Sequence, residues 1–429
     1  MRIAILTPNM DRFDDAYSVV HVVRSQVAML SKAGYDVVIF VNQHCFDEPL
    51  RGDYFYQILP VLPDFEPTDG LYCTTDLANK LVNWLADFDL VFTHDWVSSS
   101  RLRAYAEALR LTLYHQGGQR FLHWTHSIPT LQQPWWDLEA YGDNHWLVYP
   151  TQSDIPKVAT QFRVTPEKVL YIPHPVDIRL GFGLSDATLR LIDKNPGLIS
   201  AEFAQVYPVD AGRMQDKGLK ELIRLFGGLK RAGKSVCLVI VDGWNGNNPK
   251  EDKEPYFAAA RRNGLNHQDF AFVSDTEPEN WTGYFHEDLM DMLRLSTIFA
   301  FPTAGESFGM VMPEAILSGA SISVYNGCLD NQVEMYESFG IPAQWPSCNR
   351  MPVKGIDLVE KIIEASESDK GFQGRKWVRQ TLNMDTIYDR FYEPIINGLE
   401  VRAADCASEI AITSDSHQRR DFQENEIPF

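Results

Sequence analysis

Clustered cysteines, excess basic charge and long apolar runs are all missing from this sequence. Its 429 residues include six cysteines, which are scattered without a C-x-x-C pair or any other metal-ligand spacing. Such cysteines are typical of buried thiols in a reducing compartment, and they predict no metal site.

Membrane segments are also absent from the pattern. No apolar stretch approaches the roughly 20 residues that a membrane-spanning helix requires. The first residues, MRIAILTPNM, carry one basic residue and a short apolar run that ends in Thr-Pro-Asn, unlike a signal peptide. We therefore expect a cytoplasmic protein without stable membrane insertion.

The charge balance is strongly acidic. Lys and Arg number 39 against 58 Asp and Glu, which gives a formal net charge of -19. This charge opposes loose attraction to phosphate backbones and to anionic lipid, although it leaves room for a local basic groove. Hydrophobic residues make up 45% of the chain and aromatic residues 12%, which is ample for packed cores.

Short apolar runs alternate with helical patterns along the chain, and the alternation starts twice. RIAILTP, YDVVIFVNQ, DLVFTHD, RFLHWTHS, HWLVYPTQ and VLYIPHP are strand-like in the first half, and AQVYPVDAG, VCLVIVDG, FAFVSD, TIFAFPT and SISVYN in the second. The pattern predicts an α/β protein with two doubly wound, Rossmann-like domains that face each other across a cleft, with the ligand in that cleft.

Domain boundaries follow from the same pattern. We predict an N-terminal domain at residues 1–185 and a C-terminal domain at residues 198–382, with a Gly- and Pro-containing stretch between them. Residues 383–402 are predicted to form a helix that crosses back to the first domain. Residues 403–429 turn polar and charged, which predicts a flexible tail.

Two glutamates mark the stretch TAGESFGMVMPEAILSGAS. Glu306 falls on the loop after a predicted strand, and Glu314 falls on a helix predicted to begin near Phe308 or Gly309. Carboxylates accept hydrogen bonds from neighbouring hydroxyl groups, so the pair suits two parts of one elongated sugar ligand. Gly309 lets backbone approach a ligand, and free N–H groups at a helix start attract phosphate. Alternatively, both glutamates are solvated or capping charges.

A pair of cations follows the first strand of the second half, in DAGRMQDKGLKELI. Arg213 and Lys217 lie at the end of a strand and the start of a helix, a position that favours anions. Two cations there would suit a diphosphate. The alternative is an ordinary surface pair.

Histidines end two strands of the first half. His126, in HWTHSIP, is predicted to face the cleft, while His94 and His123 compete with it for any role. A lone histidine at such a place is more often structural than catalytic.

Together these motifs resemble the retaining glycosyltransferases of GT-B architecture, specifically the family-4 type also called glycosyl transferases group 1. The family pattern GR(L)xxxKG is matched by residues 212–218, and EGFGLxxxEAxAxG is matched by residues 306–319. YIPHPVD resembles the family's IPNGVD, and LVIVDG resembles its LxIVGxG strand. The resemblance extends from residue 1 to roughly residue 400, and it implies that residues 1–185 form the acceptor-side domain and residues 198–382 the nucleotide-sugar-binding domain.

The resemblance implies an NDP-sugar-dependent transferase that moves a hexose-type sugar from a donor such as a UDP- or GDP-sugar to a hydroxyl acceptor, with retention of configuration. It implies no cofactor and no metal, since cations neutralise the departing diphosphate. The implied catalytic residues are His126 beside the anomeric centre, Glu306 on the donor-sugar hydroxyls, and Arg213 with Lys217 on the diphosphate. The implied donor-binding residues are Glu314 on the ribose, Gly212, Ser307, Phe308 and Gly309.

Two departures from the family pattern bear on the site. Residues 9–16 include Asp11, Asp14 and Asp15 where the family has a glycine-rich loop, so acceptor binding must be built differently. His174 stands where the family usually has asparagine.

Other functions remain open at this point. A nucleotide-sugar 2-epimerase would keep the same donor contacts without an outside acceptor, and a non-catalytic nucleotide-sugar-binding subunit would need only those contacts. The acceptor could be a soluble glycan, a small molecule or a hydroxylated base in DNA. The tryptophans and tyrosine of LQQPWWDLEAYGDNHW either stack on a ligand or pack as a surface loop.

Overall fold

The structure is a computed structural model that describes residues 1–8, 18–45, 55–64, 71–112, 118–126, 133, 135–242, 253–276, 284–306, 309–345 and 356–398. The acidic stretch from Asp11 to Asp15, the predicted site residues Ser307 and Phe308, and the predicted tail 403–429 lie outside these residues. The chain divides into two compact units, Met1–Pro175 with Ile387–Phe429, and Val176–Thr386.

The first unit is built on one seven-stranded parallel sheet with strand order β3-β2-β1-β4-β5-β6-β7. Its strands, apart from β3 and β7 at the two edges, are buried on both faces, which explains their nearly continuous apolar sequences. The strands are β1 (Arg2–Leu6), β2 (Asp36–Asn42), β3 (Tyr56–Leu62), β4 (Leu90–His94), β5 (Arg120–Trp124), β6 (His145–Tyr149) and β7 (Val169–Tyr171).

Helices follow the strands of this unit as the periodicity predicts. The first of them ends before Gly34, whose φ of 83° is the left-handed conformation that glycine adopts without strain. The helices are α1 (Ser18–Lys32), α2 (Leu71–Leu85), α3 (Arg103–Leu111) and α4 (Ile155–Gln161).

The second unit contains two three-stranded parallel sheets, β10-β9-β8 and β11-β12-β13. Its strands are β8 (Phe203–Pro208), β9 (Val236–Val241), β10 (Phe270–Phe272), β11 (Ile298–Phe301), β12 (Ile322–Asn326) and β13 (Ile341–Ala343). Its helices are α5 (Ile178–Phe182), α6 (Asp186–Lys194), α7 (Gly197–Ser200), α8 (Leu219–Arg231), α9 (Glu254–Arg262), α10 (Val273–Thr276), α11 (His286–Leu293), α12 (Val311–Leu317), α13 (Asp330–Tyr336), α14 (Ile356–Ser368) and α15 (Lys370–Thr381).

Side chains join the two sheets of the second unit between β8 and β11. The buried Gln205 amide donates to the Ala300 carbonyl and accepts from the Ala300 N–H, both at 3.0 Å. Thr297 Oγ1 accepts from the Ala204 N–H at 2.9 Å. These bonds satisfy backbone groups that would otherwise be buried without partners.

Both units therefore have the strand order of a doubly wound fold. The second unit reads β10-β9-β8 followed by β11-β12-β13, and the first reads β3-β2-β1 followed by β4 to β7. This confirms the predicted α/β class with two Rossmann-like domains. In such sheets ligands bind beyond the carboxyl ends of the strands where the order reverses, which is beside β1 and β4 in one unit and beside β8 and β11 in the other.

The end of the described chain returns to the first unit, as predicted. It forms α16 (Met384–Ile387), a π-helical turn at Tyr388–Tyr392 and α17 (Glu393–Ile396). The Arg120 guanidinium donates to the carbonyls of Ile395 and Ile396 at 2.6 and 2.8 Å. A cation at the last carbonyls of a helix is favourable and fixes this segment against β5.

Three features differ from the sequence pattern. Residues 186–194, which the sequence leaves between its two predicted domains, form α6 in the second unit, with Ser185 accepting from the Thr188 N–H as its cap. Strand β3 carries Pro60 and lies at a sheet edge, where a missing N–H is tolerated. Strand β13 has only three residues, too few for a clear pattern.

Candidate functional site

The loop after β8 presents Arg213 to solvent. The Asp210 carboxylate accepts from the Gly212 N–H at 2.8 Å and so caps the turn that contains Gly212 and Arg213. The Arg213 side chain is exposed, and within the described ranges no acidic side chain forms an ion pair with it. It is therefore able to bind an anion without giving up a partner.

Lys217 and Glu306 lie in direct contact at the carboxyl edge of β8 and β11. The Lys217 ammonium forms an ion pair with the Glu306 carboxylate and lies 5.3 Å from the centre of the Phe301 ring. Their side chains are 15% and 18% exposed, so each keeps a solvent-facing part. The structure thus brings two of the predicted site residues together, from loops that are distant in the sequence.

Tyr207 forms a hydrogen bond with the backbone of the loop that carries Lys217. Its phenol oxygen donates to the Lys217 carbonyl at 2.7 Å. Burial, with a smaller contribution from the Glu306 charge, raises the pKa of Tyr207 far above its usual value, so the donor stays protonated. Sequence reasoning missed this residue because it lies inside a strand and only its hydroxyl reaches the loop.

The loop that carries Glu306 is fixed by side-chain amides. Asn331 donates to the Glu306 carbonyl at 2.7 Å, and Asn326 donates to the Thr303 carbonyl at 2.9 Å. The Ala304 N–H donates to the Asp216 carbonyl at 2.9 Å, which ties the loop to the one that carries Lys217. The two residues of the ion pair therefore lie on two loops that are hydrogen-bonded to each other.

Two glycines of the matched motifs have a structural reason to be glycine. Gly218 has a φ of 69°, and a β-carbon on it would lie 2.2 Å from the Pro302 carbonyl oxygen. Gly309 has a φ of 78°, and a β-carbon there would lie 2.9 Å from the Phe301 ring. Both positions need a left-handed backbone that packs closely against the Glu306 loop or its strand.

Substitution of Gly218 tests this close approach. We expect Gly218→Ala to lower the free energy of unfolding by several kcal/mol, since a left-handed alanine costs about 1–2 kcal/mol and the clash adds to it. Gly233→Ala is the matched control, because Gly233 has a φ of 82° and nothing within 4 Å of its β-carbon. Urea unfolding of both variants measures the difference, and equal losses would contradict the packing argument.

Glu314 lies in the first turn of α12, which begins at Val311, slightly later than predicted. Pro313 is tolerated there because the first N–H groups of a helix have no partner within it. The Glu314 side chain is 17% exposed, and its Oε1 atom lies 3.7 Å from His286 Nε2. It is half-buried and keeps a face that a hydroxyl group can reach.

In the first unit, five side chains form what we call the histidine chain: Tyr392, Gln26, His94, His126 and His174. Gln26 Nε2 donates to Tyr392 Oη at 2.9 Å, and Gln26 Oε1 lies 3.0 Å from His94 Nε2. His94 Nδ1 lies 2.9 Å from His126 Nε2, and His126 Nδ1 lies 3.2 Å from His174 Nε2. The predicted residue His126 thus lies in the middle of a bonded series.

The histidines of this chain are uncharged at neutral pH. Burial lowers the pKa of His126 to about 4. Burial and the neighbouring His126 lower the pKa of His174 to about 4, against an opposing effect of Asp95. Burial places the pKa of His94 well below its usual value. Each ring therefore has one donor and one acceptor nitrogen.

Asp95 supports His126 from the end of β4. Its carboxylate accepts from the His126 N–H at 3.0 Å and from Ser98 Oγ at 3.2 Å. Its φ of 58° is a left-handed conformation that is uncommon outside glycine. Strained backbone at the carboxyl edge of a parallel sheet is often found at functional sites.

His123 belongs to a separate, interior pair. Its side chain lies 2.8 Å from Thr93 Oγ1 and 2.8 Å from His145 Nδ1, and it is fully buried. Burial and its partner hold the pKa of His123 well below the usual value, and burial lowers that of His145 to about 3. His123 is thus a core residue, whereas His94 is part of the histidine chain.

The aromatic segment of the first unit is packed. Trp136 and Tyr141 are buried, Trp136 Nε1 donates to the Ser98 carbonyl at 3.1 Å, and the Trp136 ring stacks on Phe162 at 5.2 Å. Trp146 lies against Lys168, whose ammonium is 4.6 Å from the ring centre. These contacts favour the packed alternative over a stacking platform.

Metal-binding clusters and membrane-spanning helices are both absent from the described residues. Among the residues that the structure describes, no group of three or more His, Cys, Asp or Glu side chains is arranged to hold a metal ion. Within the same residues, no helix has both the length and the apolar character that crossing a membrane requires.

Comparison with known proteins bears on the first unit. Residues 19–180 match the model of Glycosyltransferase Family 4, which confirms the predicted resemblance over that segment. No curated protein sequence matches the chain.

Solved structures similar to this chain cover most of its length. A glycosyltransferase from Rickettsia africae ESF-5 is 12% identical, with 94% of this chain and 99% of that chain covered and a TM-score of 0.37. Sucrose-phosphate synthase from Thermosynechococcus elongatus is 16% identical, with 93% and 99% covered and a TM-score of 0.35. The lipopolysaccharide outer core galactosyltransferase WaaB is 15% identical, with 93% and 100% covered and a TM-score of 0.34.

Proposed function

We propose that this chain is a glycosyltransferase that moves a hexose-type sugar from a nucleoside-diphosphate sugar to a hydroxyl acceptor, with retention of anomeric configuration. The observation that carries the proposal is the contact of Lys217 with Glu306 at the carboxyl edge of β8 and β11, beside the exposed Arg213. The family match over residues 19–180 supports it. Ligands of doubly wound folds bind at such an edge.

The cations are assigned to the leaving diphosphate. When the bond between the sugar and the diphosphate breaks, negative charge develops on the departing oxygens. An ammonium has three donors, so Lys217 can serve Glu306 and a phosphate oxygen at the same time. Arg213 adds a planar donor fork that matches phosphate geometry. Cations that are held in place before the reaction stabilise this charge without a metal ion.

The carboxylates are assigned to hydroxyl groups. Glu306 forms an ion pair with Lys217, and its carboxylate is assigned to the hydroxyl groups of the donor sugar. Glu314 lies in the first turn of α12 and is assigned to the ribose hydroxyls, because a carboxylate accepts from two neighbouring hydroxyls at once. His126 is assigned a place beside the anomeric carbon, and Gly212, Ser307, Phe308 and Gly309 are assigned to the donor through their backbone.

Attack on the anomeric carbon comes from the acceptor hydroxyl, on the face from which the diphosphate departs. The hydroxyl oxygen forms the new bond as the bond to the diphosphate breaks, and the hydroxyl proton goes to the leaving diphosphate. The sugar therefore passes through a transition state with oxocarbenium character. In this scheme the chain binds, orients and neutralises charge, and it supplies no covalent nucleophile.

Thermal stability against a panel of nucleotides tests the donor assignment without an acceptor. UDP, GDP, ADP and dTDP and their common sugars are compared by the melting temperature of the protein. At about 100 times its dissociation constant, the right donor should add roughly 2.7 kcal/mol to the stability. Failure of every nucleotide to raise the melting temperature would contradict the proposal.

Two variants sharpen the same experiment. Glu314→Gln should weaken the stabilisation by the donor, because the amide accepts fewer hydrogen bonds than the carboxylate. Glu334→Gln is the matched control, since Glu334 is exposed on α13 and should leave the stabilisation unchanged. Incubation of the donor alone separates transfer from 2-epimerisation, because an epimerase converts the sugar without any acceptor.

A further inference from the structure

The histidine chain leaves His126 with no free ring nitrogen. Its Nε2 atom faces His94 and its Nδ1 atom faces His174, at 2.9 and 3.2 Å. Its assigned place beside the anomeric carbon therefore offers the substrate no free ring nitrogen, because a ligand contact through either nitrogen would break a bond of the histidine chain. The ring nitrogen that has no partner belongs to His174, at the end of the histidine chain.

The Gln26 amide sets the direction in which the chain donates. Its NH2 group donates to Tyr392, so its carbonyl oxygen faces His94 and accepts from the His94 Nε2–H. His94 Nδ1 then accepts from the His126 Nε2–H, and His126 Nδ1 accepts from the His174 Nε2–H. All three rings therefore carry their proton on Nε2, and His174 Nδ1 has a lone pair and no proton.

That last nitrogen is buried and has no hydrogen-bond partner within the described part of the chain. A buried acceptor without a partner costs about 1–3 kcal/mol, and such groups in native proteins call for an explanation. A donor group that reaches His174 Nδ1 recovers this free energy. The nitrogen therefore favours one class of ligand group, a hydrogen-bond donor.

We propose that His174 Nδ1 accepts a hydrogen bond from a substrate hydroxyl, and that Tyr392, Gln26, His94 and His126 are positioning residues that fix the tautomer of His174. This rests on the proposed function, which supplies the hydroxyl from the donor sugar or from the acceptor. Phosphate oxygens are acceptors, as is the nitrogen, so the diphosphate is excluded as its partner.

The backbone around His174 is stiff enough for this role. The residue follows β7 and stands between Pro173 and Pro175, in YIPHPVD. The prolines fix their own φ angles, and a residue before proline is restricted to extended conformations. Asp95 holds the backbone N–H of His126, which fixes the ring that supports His174. Both ends of the His126–His174 contact are thus held.

The test is the protonation of each ring nitrogen, measured by nuclear magnetic resonance on protein that carries 15N in its 11 histidines. We expect neutral rings protonated on Nε2 for His94, His126 and His174 at pH 7. The signals of His174 are assigned by their loss in His174→Asn. A proton on His174 Nδ1 in the free protein would overturn the proposal.

The same signal identifies the hydroxyl. The nucleotide sugar with the largest thermal shift is compared with its nucleoside diphosphate and with added free hexoses and polyols. A change at His174 Nδ1 with the nucleotide sugar alone assigns the contact to the donor sugar, and a change only after the hexose or polyol is added assigns it to the acceptor. No change at the nitrogen, although the melting temperature rises, would overturn the proposal and leave the proposed function standing. The absence of any thermal shift would contradict both the proposed function and the proposal for His174.

Two tyrosine variants test the positioning residues. Tyr392→Phe removes the oxygen that orients Gln26, so a second set of signals with His174 protonated on Nδ1 should appear. Tyr388→Phe is the matched control, since Tyr388 lies in the same π-helical turn but contacts Tyr35 and not Gln26. If Tyr392 had a purely structural role, Tyr392→Phe would lower the melting temperature and leave the tautomers unchanged. That result would overturn the assignment of Tyr392 as a positioning residue.

Discussion

Acidification from pH 6.5 to pH 4 should unfold the first unit before the second. Five histidines of the first unit have lowered pKa values: His94, His123, His126, His145 and His174. Each remains neutral in the folded chain and takes up a proton on unfolding once the pH falls below its ordinary pKa of 6.5. The unfolded state then binds more protons than the folded state, so stability falls with pH.

The size of the effect follows from the lowered pKa values. Each such histidine costs about 1.4 kcal/mol for every pH unit below 6.5, until its folded-state pKa is reached. At pH 5, His126, His145 and His174 together cost about 6 kcal/mol, a large part of the total stability of an ordinary domain, and His94 and His123 add to this loss. The loss is complete near pH 4 for His126 and His174 and near pH 3 for His145. The neighbouring charges are Asp95, which opposes the shift at His174, and Lys168, which adds to it at His145.

Circular dichroism against pH would follow the transition, and brief digestion with pepsin would identify the unit that opens first. His123→Leu combined with His145→Phe removes two of the titrating groups, so stability should fall less steeply with pH, by at least the roughly 1.4 kcal/mol per pH unit that His145 contributes. His267→Gln is the control, because His267 is exposed in the second unit. A single transition in which both units become sensitive to pepsin together would contradict the prediction.

The periodicity of the sequence was enough to predict most of the strands and the doubly wound class. Buried parallel strands need apolar side chains on both faces, so their segments stand out, as VCLVIV does in β9. Strand β3 was missed because its edge position tolerates Pro60, and β13 because three residues make no pattern. The sequence pattern therefore predicts the strands whose side chains are uniformly buried, and it misses short strands and edge strands.

The candidate site was predictable only as separate motifs. Arg213, Lys217, Glu306 and Glu314 were predicted because two short segments carry these charged residues at the spacing of the family's motifs. Contacts between segments that are distant in the sequence leave no such mark. The Gln205 bond to Ala300 and the histidine chain join residues up to 366 positions apart, and each member alone is an ordinary buried polar residue. Such contacts follow from the fold and not from the neighbouring sequence.

Loss of Arg213 should abolish most of the turnover without destabilising the protein. If the guanidinium binds the departing diphosphate, Arg213→Ala should lower the turnover number roughly 100- to 1,000-fold, the usual effect of removing one stabilising donor. Its side chain is exposed, so the free energy of unfolding should change by less than about 0.5 kcal/mol. Release of nucleoside diphosphate from the donor found in the thermal panel measures the turnover.

Substitution of Lys217 should lower both the turnover number and the stability of the protein, and the two losses can be separated. Lys217→Met keeps the apolar stem beside Phe301 but removes the charge, which should cost a similar factor in turnover and about 1–2 kcal/mol in stability. Adding Glu306→Gln removes the carboxylate that the lysine neutralised, so the double variant should regain stability, while its turnover should stay below that of Glu306→Gln alone. Lys220→Ala is the control, a cation in the first turn of α8 that contacts Tyr256 and not Glu306.

The comparison decides what the ion pair does. If Lys217 served only to hold Glu306, adding Lys217→Met to Glu306→Gln would cost no further turnover, because the single variant has already lost the carboxylate that Lys217 holds. If Lys217 binds the diphosphate, the double variant turns over more slowly than Glu306→Gln alone, whatever its stability. Wild-type turnover in the variant that combines Arg213→Ala with Lys217→Ala would refute the diphosphate assignment, since no cation of the matched motif would remain beside Glu306 to stabilise the departing charge.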